Sequence, residues 1–232
     1  MIERLALIVV AALSSIAEVQ QPVQFADARA EELVRRVQAA IAQGRPLSDL
    51  HALSMQGRVR VPDDTGSPVD SMVEIKILLP DRYLRRETSD GSERRSGFAG
   101  GTLLTAGGDL RVERLKLARL MLGMAASFVG DKVTARVSTD EAFADTAAID
   151  VTGPSLAGRL VVDLPSYLPL RVVSSGDLRR GSTVVSFSNR RTVGGFDLPF
   201  RITTQTSERV LETLMFDDIL VNPTLRDSDF RK

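Results

Sequence analysis

Two kinds of apolar spacing alternate along this chain. Between Ala26 and Gln43, Ala30, Leu33, Val34, Val37 and Ile41 fall at helical intervals, while Glu31, Glu32, Arg35 and Arg36 lie off that stripe. The pattern predicts an amphipathic helix with one buried face, capped by Asp27 and ended by Gly44 and Pro46. From Leu53 the repeat becomes alternating: Leu53, Met55, Gly57, Val59 and Val61 are interleaved with Ser54, Gln56, Arg58 and Arg60. After the turn residues Pro62 to Gly66, the same alternation returns through Val73, Ile75 and Ile77, which reads as a long antiparallel hairpin. Tyr83 to Thr88 and Glu93 to Phe98 add two strands around the Ser89-Asp90-Gly91-Ser92 turn.

A glycine-rich loop, Gly97 to Gly101, leads through Gly107-Gly108 into a second helical pattern, Asp109 to Phe128. Its apolar side carries Leu117, Leu120, Met121, Met124 and Phe128; Arg111, Arg114 and Lys116 mark the wetter side. The loop has no Lys-Ser/Thr ending and no parallel-strand context, which argues against a phosphate cradle. The remainder reads as strands: Lys132–Ser138, Ala147–Thr152, Gly158–Leu164, Leu170–Ser175, Thr183–Thr192, Leu198–Thr206 and Val210–Val221. Turn chemistry at Gly153-Pro154, Pro165 to Pro169, Gly176-Asp177 and Gly194-Gly195 separates them. A string of strands at this spacing, without linker or repeat, predicts a mainly β fold (α+β), a large curved antiparallel sheet or barrel in one domain over residues 18–232.

The first seventeen residues differ from the rest. Arg4 and the amino terminus supply positive charge, Leu5 to Leu13 are apolar, and Ser15-Ile16-Ala17 offers small residues where a signal peptidase reads. This predicts a signal peptide over residues 1–17, cleaved after Ala17, and hence an exported, soluble, periplasmic protein. The apolar run is too short for a membrane-spanning helix, which needs about 20 residues.

Composition narrows the function classes. Lys+Arg and Asp+Glu are 30 each, so no global field draws the chain to nucleic acid. Cysteine is absent, which removes disulfides, thiol chemistry and a lipid-bearing terminal cysteine. The single histidine, His51, has no partner His or Cys for a metal, and a structural role is expected for it. No Gly-x-Ser-x-Gly elbow accompanies it. Asp217 and Asp218 are neighbours on a strand and should face opposite sides. Asp63-Asp64 lie in a turn, where aspartate is common. The arginine pairs, among them Arg85-Arg86 and Arg190-Arg191, read as solvated surface; Arg171 and Arg201, each after a Pro-apolar step, suggest sheet-edge salt bridges. The chain thus points to a non-enzyme without metal or cofactor.

The order of elements, with three particular stretches, resembles the LolA/LolB-like superfamily of periplasmic lipoprotein carriers. Those stretches are Leu160-Val161-Val162-Asp163 leading to Leu168-Pro169-Leu170-Arg171, Gly194-Gly195-Phe196-Asp197-Leu198-Pro199-Phe200-Arg201, and Phe216-Asp217-Asp218-Ile219-Leu220-Val221-Asn222-Pro223. The resemblance implies an unclosed β half-barrel with an N-terminal helix and a central lid helix over its concave, apolar side. It further implies a soluble carrier that receives acyl chains of lipids or lipoproteins. The cavity would be lined by Val73, Ile75, Ile77, Leu117, Met121, Phe187, Phe200, Ile202 and Phe216. The alternative is an envelope sensor or interaction module that uses the same fold to dock an inner- or outer-membrane protein; an envelope hydrolase is the third reading. The carrier requires apolar space between sheet and lid, and a tightly packed concave side favours the docking module.

Overall fold

The computed structural model describes residues 23–63, 65–129, 132–139, 145–154, 156–175 and 182–231. The expected signal peptide at 1–17, Asp64, the 176–177 turn and the Arg179-Arg180 pair lie outside them. The chain begins with a two-residue strand β1 (Gln24–Phe25) and helix α1 (Ala28–Ala42), followed by a short 3-10 turn, Leu47–Asp49. Next come β2 (Ala52–Pro62), β3 (Pro68–Leu78), β4 (Arg82–Ser89), β5 (Ser92–Ala99) and β6 (Thr102–Leu103). Helix α2 (Leu110–Ala125) precedes β7 (Thr134–Val137), β8 (Thr146–Thr152), β9 (Ala157–Asp163) and β10 (Pro169–Ser175). The last strands are β11 (Ser182–Val193), β12 (Phe196–Gln205) and β13 (Val210–Val221), and a 3-10 turn, Asp227–Phe230, follows.

Among the described residues thirteen strands form one open sheet, ordered β1-β7-β8-β9-β10-β11-β12-β13-β2-β3-β4-β5-β6. Two meanders, β2 to β6 and β7 to β13, are joined where β13 pairs antiparallel with β2, Leu214 opposite Val59. This junction depends on Gly57: a Cβ there would lie 2.1 Å from the Met215 carbonyl oxygen. A bulge between Phe216 and Asp218 adjoins it. The bulge also corrects the expectation for Asp217 and Asp218: the extra residue resets the alternation, and both carboxylates are exposed rather than facing opposite sides. One pair departs from the antiparallel rule, since β1 runs parallel to β7.

The helices begin as the sequence predicts. Asp27 Oδ1 accepts from the Ala30 N–H at 2.8 Å, and Asp109 Oδ1 from the Arg111 N–H at 2.8 Å. Helix α2 stops three residues earlier than the pattern suggests, because Ala126 takes a left-handed conformation (φ 46°) and Phe128 falls beyond the helix. Both helices bury their apolar residues in the same core as Leu53, Met55, Val59, Phe187 and Phe216. They therefore cover one face of the sheet, α1 against β7 and β12, and α2 against β5, β10, β11 and β12. A smaller cluster on the other face packs Leu84 and Leu104 against Phe230 of the C-terminal turn.

The quoted motifs do structural work. Gly194 and Gly195, with φ of 58° and 85°, make the two-residue turn between β11 and β12. Asn222 closes β13 onto β2: its Oδ1 accepts from the N–H groups of His51 (3.0 Å) and Ala52 (3.2 Å), and its Nδ2 donates to the Asp49 carbonyl (2.6 Å). Arg171 and Arg201 stand on β10 and β12, interior strands rather than edges, so the edge expectation does not hold.

Candidate functional site

The nine residues expected to line a cavity come from β3, α2, β11, β12 and β13, and the fold brings all nine into one cluster. None is more than 5% exposed. In this conformation they pack against one another, so the concave side is filled by the protein's own side chains. A pocket beside the C-terminal end of α2, bounded by Ala118, Phe128, Val133, Val151 and Leu156, has a volume of about 10 Å³. That is on the order of one water molecule and far from an acyl chain.

The fit of α2 on the sheet rests on a glycine. Gly123 faces the Phe187 ring so closely that a Cβ at 123 would lie 1.9 Å from Phe187 Cζ. Around it, Leu120, Met121, Leu122, Met124 and Ala125 are all buried. The C-terminal end of α2 is tied to α1, whose Gln38 Nε2 donates to the Ala126 carbonyl at 3.0 Å.

Polar groups along α2 are less well matched. Glu113 is 7% exposed; its Oε1 accepts from Lys116 Nζ at 2.7 Å, but Oε2 is buried without a hydrogen-bond partner. Arg119 Nε is likewise buried and unpartnered, and burial alone depresses its guanidinium pKa. On β10, Ser174 Oγ is buried and unpartnered as well. Buried polar atoms are nearly always paired, each exception costing about 1–3 kcal/mol.

Near Glu113 the concave face ends in a charged cluster. Arg85, on β4, is 8% exposed. Its Nη2 donates to Glu212 Oε2 on β13 at 2.6 Å, crossing over β3 and β2. On a flat sheet that crossing would be about 14 Å, and inward curl shortens it. Arg85 Nε lies 2.7 Å from Glu87 Oε1 as an ion pair, although its N–H is not directed at that oxygen. Burial disfavours the charged guanidinium, but Glu212 and Glu87 outweigh it and hold Arg85 above its ordinary value. Burial lifts the Tyr83 hydroxyl above the ordinary phenol range; Arg85 opposes the rise, while Glu113, Glu212 and Glu87 add to it. These charged groups thus all act on the Tyr83 hydroxyl. Beyond them the apolar stripe runs on into solvent through Val61 (39% exposed), Val69 (47%) and Val210 (39%). Val112, 47% exposed, stands in the first turn of α2.

On β4 the Arg85-Arg86 pair splits between the two faces, but neither it nor Arg190 is simply solvated. Arg85 turns inward while Arg86 turns outward to Glu74 at 3.0 Å. Arg190, 11% exposed at its side chain, is held by Asp197 Oδ1 at 2.5 Å. Curvature, which the sequence does not display, encloses Arg85. His51 is exposed, its ring nitrogen 3.1 Å from the Asp49 carbonyl, and no cluster of metal-ligating side chains occurs among the described residues. Sequence reasoning missed Glu113, Tyr83, Arg85, Glu212 and Gly123. Glu113 had a legible signal, since it stands one helical turn before Leu117 on the apolar stripe.

No protein-family model matches the chain, and no curated protein matches its sequence. Solved structures do. A LolA superfamily protein from Nitrosomonas europaea superposes with a TM-score of 0.60 at 16% identity, covering 88% of this chain and 97% of that one. A putative outer membrane lipoprotein-sorting protein domain from Vibrio parahaemolyticus gives 0.54 at 10% identity, with 87% and 96% covered. A DUF1329 family protein from Desulfovibrio piger gives 0.55 at 8% identity, with 87% and 97% covered. At such identities the likeness is one of architecture, and the architecture is plain: this chain has a LolA-like fold.

Proposed function

We propose that the chain is an exported, soluble carrier of lipid or lipoprotein acyl chains, which enter between the sheet and α2 when that helix lifts. The observation that carries this reading is the set of buried, unpartnered polar atoms at α2 and the strand beneath it: Glu113 Oε2, Arg119 Nε and Ser174 Oγ. An interface with these deficits is easier to open than a fully satisfied one. The tie from Gln38 to the Ala126 carbonyl favours a pivot at the C-terminal end of α2, with its N-terminal half swinging out. Met121 and Met124 would then adapt to irregular chains. The nine clustered residues, Val73, Ile75, Ile77, Leu117, Met121, Phe187, Phe200, Ile202 and Phe216, would line the opened space. Residues 1–17 would act as the export signal, and the mass of the protein recovered from a periplasmic fraction tests removal after Ala17.

The decisive experiment is displacement of a fluorescent fatty acid from wild type and Gly123→Ala, with lipid mass spectrometry of the purified protein. The added methyl group strains the seated helix and raises the open population, so binding should tighten severalfold while stability falls, as expected when a binding-competent minor state is enriched. No saturable binding in either protein, with no co-purified lipid, overturns the carrier.

The filled concave side favours a second reading, a non-enzymatic envelope module that docks a membrane protein. In that case Gly123→Ala loses stability without gaining lipid affinity, and a pull-down from envelope extract recovers one dominant protein.

A further inference from the structure

We infer that the charged cluster at the N-terminal end of α2 is a head-group site, which selects amphiphiles whose polar end donates hydrogen bonds, amine or hydroxyl, over those ending in a carboxylate or phosphate. This rests on the carrier reading and adds a chemical class to it.

Each carboxylate near Tyr83 can be followed to its partners. Glu87 is paired with Arg85. Glu212 Oε2 accepts from Arg85, and its Oε1 accepts weakly from Thr204 Oγ1 at 3.4 Å. Of these carboxylates only Glu113 has an oxygen that is both buried and without a hydrogen-bond partner, on a side chain 9% exposed. It stands in the first turn of α2, at the positive end of the helix dipole, a place that suits an acceptor. An incoming ammonium or hydroxyl supplies the donor it lacks. A carboxylate or phosphate would set acceptor against acceptor in a place poor in water, which costs rather than gains.

The surroundings match an amphiphile in shape as well. Leu117, one helical turn along from Glu113, belongs to the apolar cluster with Met121, and on β2 and β3 the concave stripe continues to the exposed pair Val61 and Val69. A ligand with its tail under α2 would carry its head past Glu113 on the way in. Arg94, opposite Glu87 on β5, is exposed at the rim and free to point into water, so it does not supply the buried oxygen with a donor.

The test uses the full chain and three probes with the same tail: laurylamine, monolaurin and laurate, each displacing a fluorescent fatty acid at neutral pH. Laurylamine and monolaurin should bind about tenfold more tightly than laurate, the range expected for a hydrogen bond to a charged group. Glu113→Gln should bring the three to within about twofold of one another. The ratio is taken within each protein, so a variant that is partly inactive does not distort it. Equal affinities in wild type, or laurate binding best, overturn the head-group site and leave the carrier standing. A preference that survives Glu113→Gln overturns the role of this carboxylate. Failure of all three probes to bind takes the carrier down first and the head-group site with it.

Discussion

Helices α1 and α2 cover the same face of the same sheet, yet they are attached in different ways. Helix α1 presents one narrow apolar stripe, Ala30, Val34, Val37 and Ile41, and turns its charged residues outward. There Glu32 takes Arg35 and Arg36 in exposed ion pairs of 2.6 and 2.7 Å. Helix α2 is buried around much of its C-terminal half, and it leaves Glu113 Oε2 and Arg119 Nε without partners. Greater burial therefore does not mean firmer attachment. The helix with fewer apolar contacts has no such deficit among its described polar atoms, whereas the other depends on contacts that a single rotation could exchange for solvent or ligand.

The largest expected effect tests the firm side of this contrast. Ile41→Ala, at a fully buried position, should lower unfolding free energy by about 2–5 kcal/mol in urea titrations. A loss below about 1 kcal/mol would mean that α1 is no anchor. Next, native-state hydrogen exchange should show the amides of Arg114 to Ala118, in the half of α2 that swings out, opening at about 2 kcal/mol less than those of Val34 to Ile41, as a sub-global unit. Equal protection of the two helices would break the comparison. A smaller and less usual effect is expected for Arg119→Met, which keeps the apolar stem and removes the unpartnered nitrogen. Stability should hold or rise by about 1 kcal/mol, and fatty-acid binding should weaken as the closed form gains.

The smallest effect concerns pH. Hydrogen bonds from Arg35 and Arg36 hold Glu32 below its ordinary value of 4.5, so the folded state keeps this carboxylate charged longer than the unfolded chain does. Its contribution is present above that ordinary value and disappears as pH falls through the lower folded one. Glu32→Gln should flatten the acid side of the α1 exchange profile slightly and leave α2 unchanged.

The sequence made periodic features legible and hid those created by curvature. Strands β2 to β5 and β7 to β13 and the start of both helices follow from alternation, stripes and caps such as Asp27 and Asp109. The two-residue strands β1 and β6 are too short to show a period. The end of α2 turns on a left-handed alanine, a conformation for which that residue gives no sign. The bulge after Phe216 changed the sides of Asp217 and Asp218 without any local signal. At the candidate site the apolar members could be read, because buried strand positions are apolar. Arg85 could not, because its enclosure depends on β4 approaching β13 over two intervening strands.

The outermost strands of the sheet have just two residues each, Gln24–Phe25 at one border and Thr102–Leu103 at the other, so that most of β5, from Ser92 to Gly97, has no strand beside it. An open sheet of this width would ordinarily invite a second copy to zip on through its unsatisfied backbone. Along that stretch Glu93, Arg94 and Arg95 put charge on the border and blunt the template. The molecule can thus forgo barrel closure, with the rigidity that closure imposes, and still be kept at high concentration without growing into ribbons.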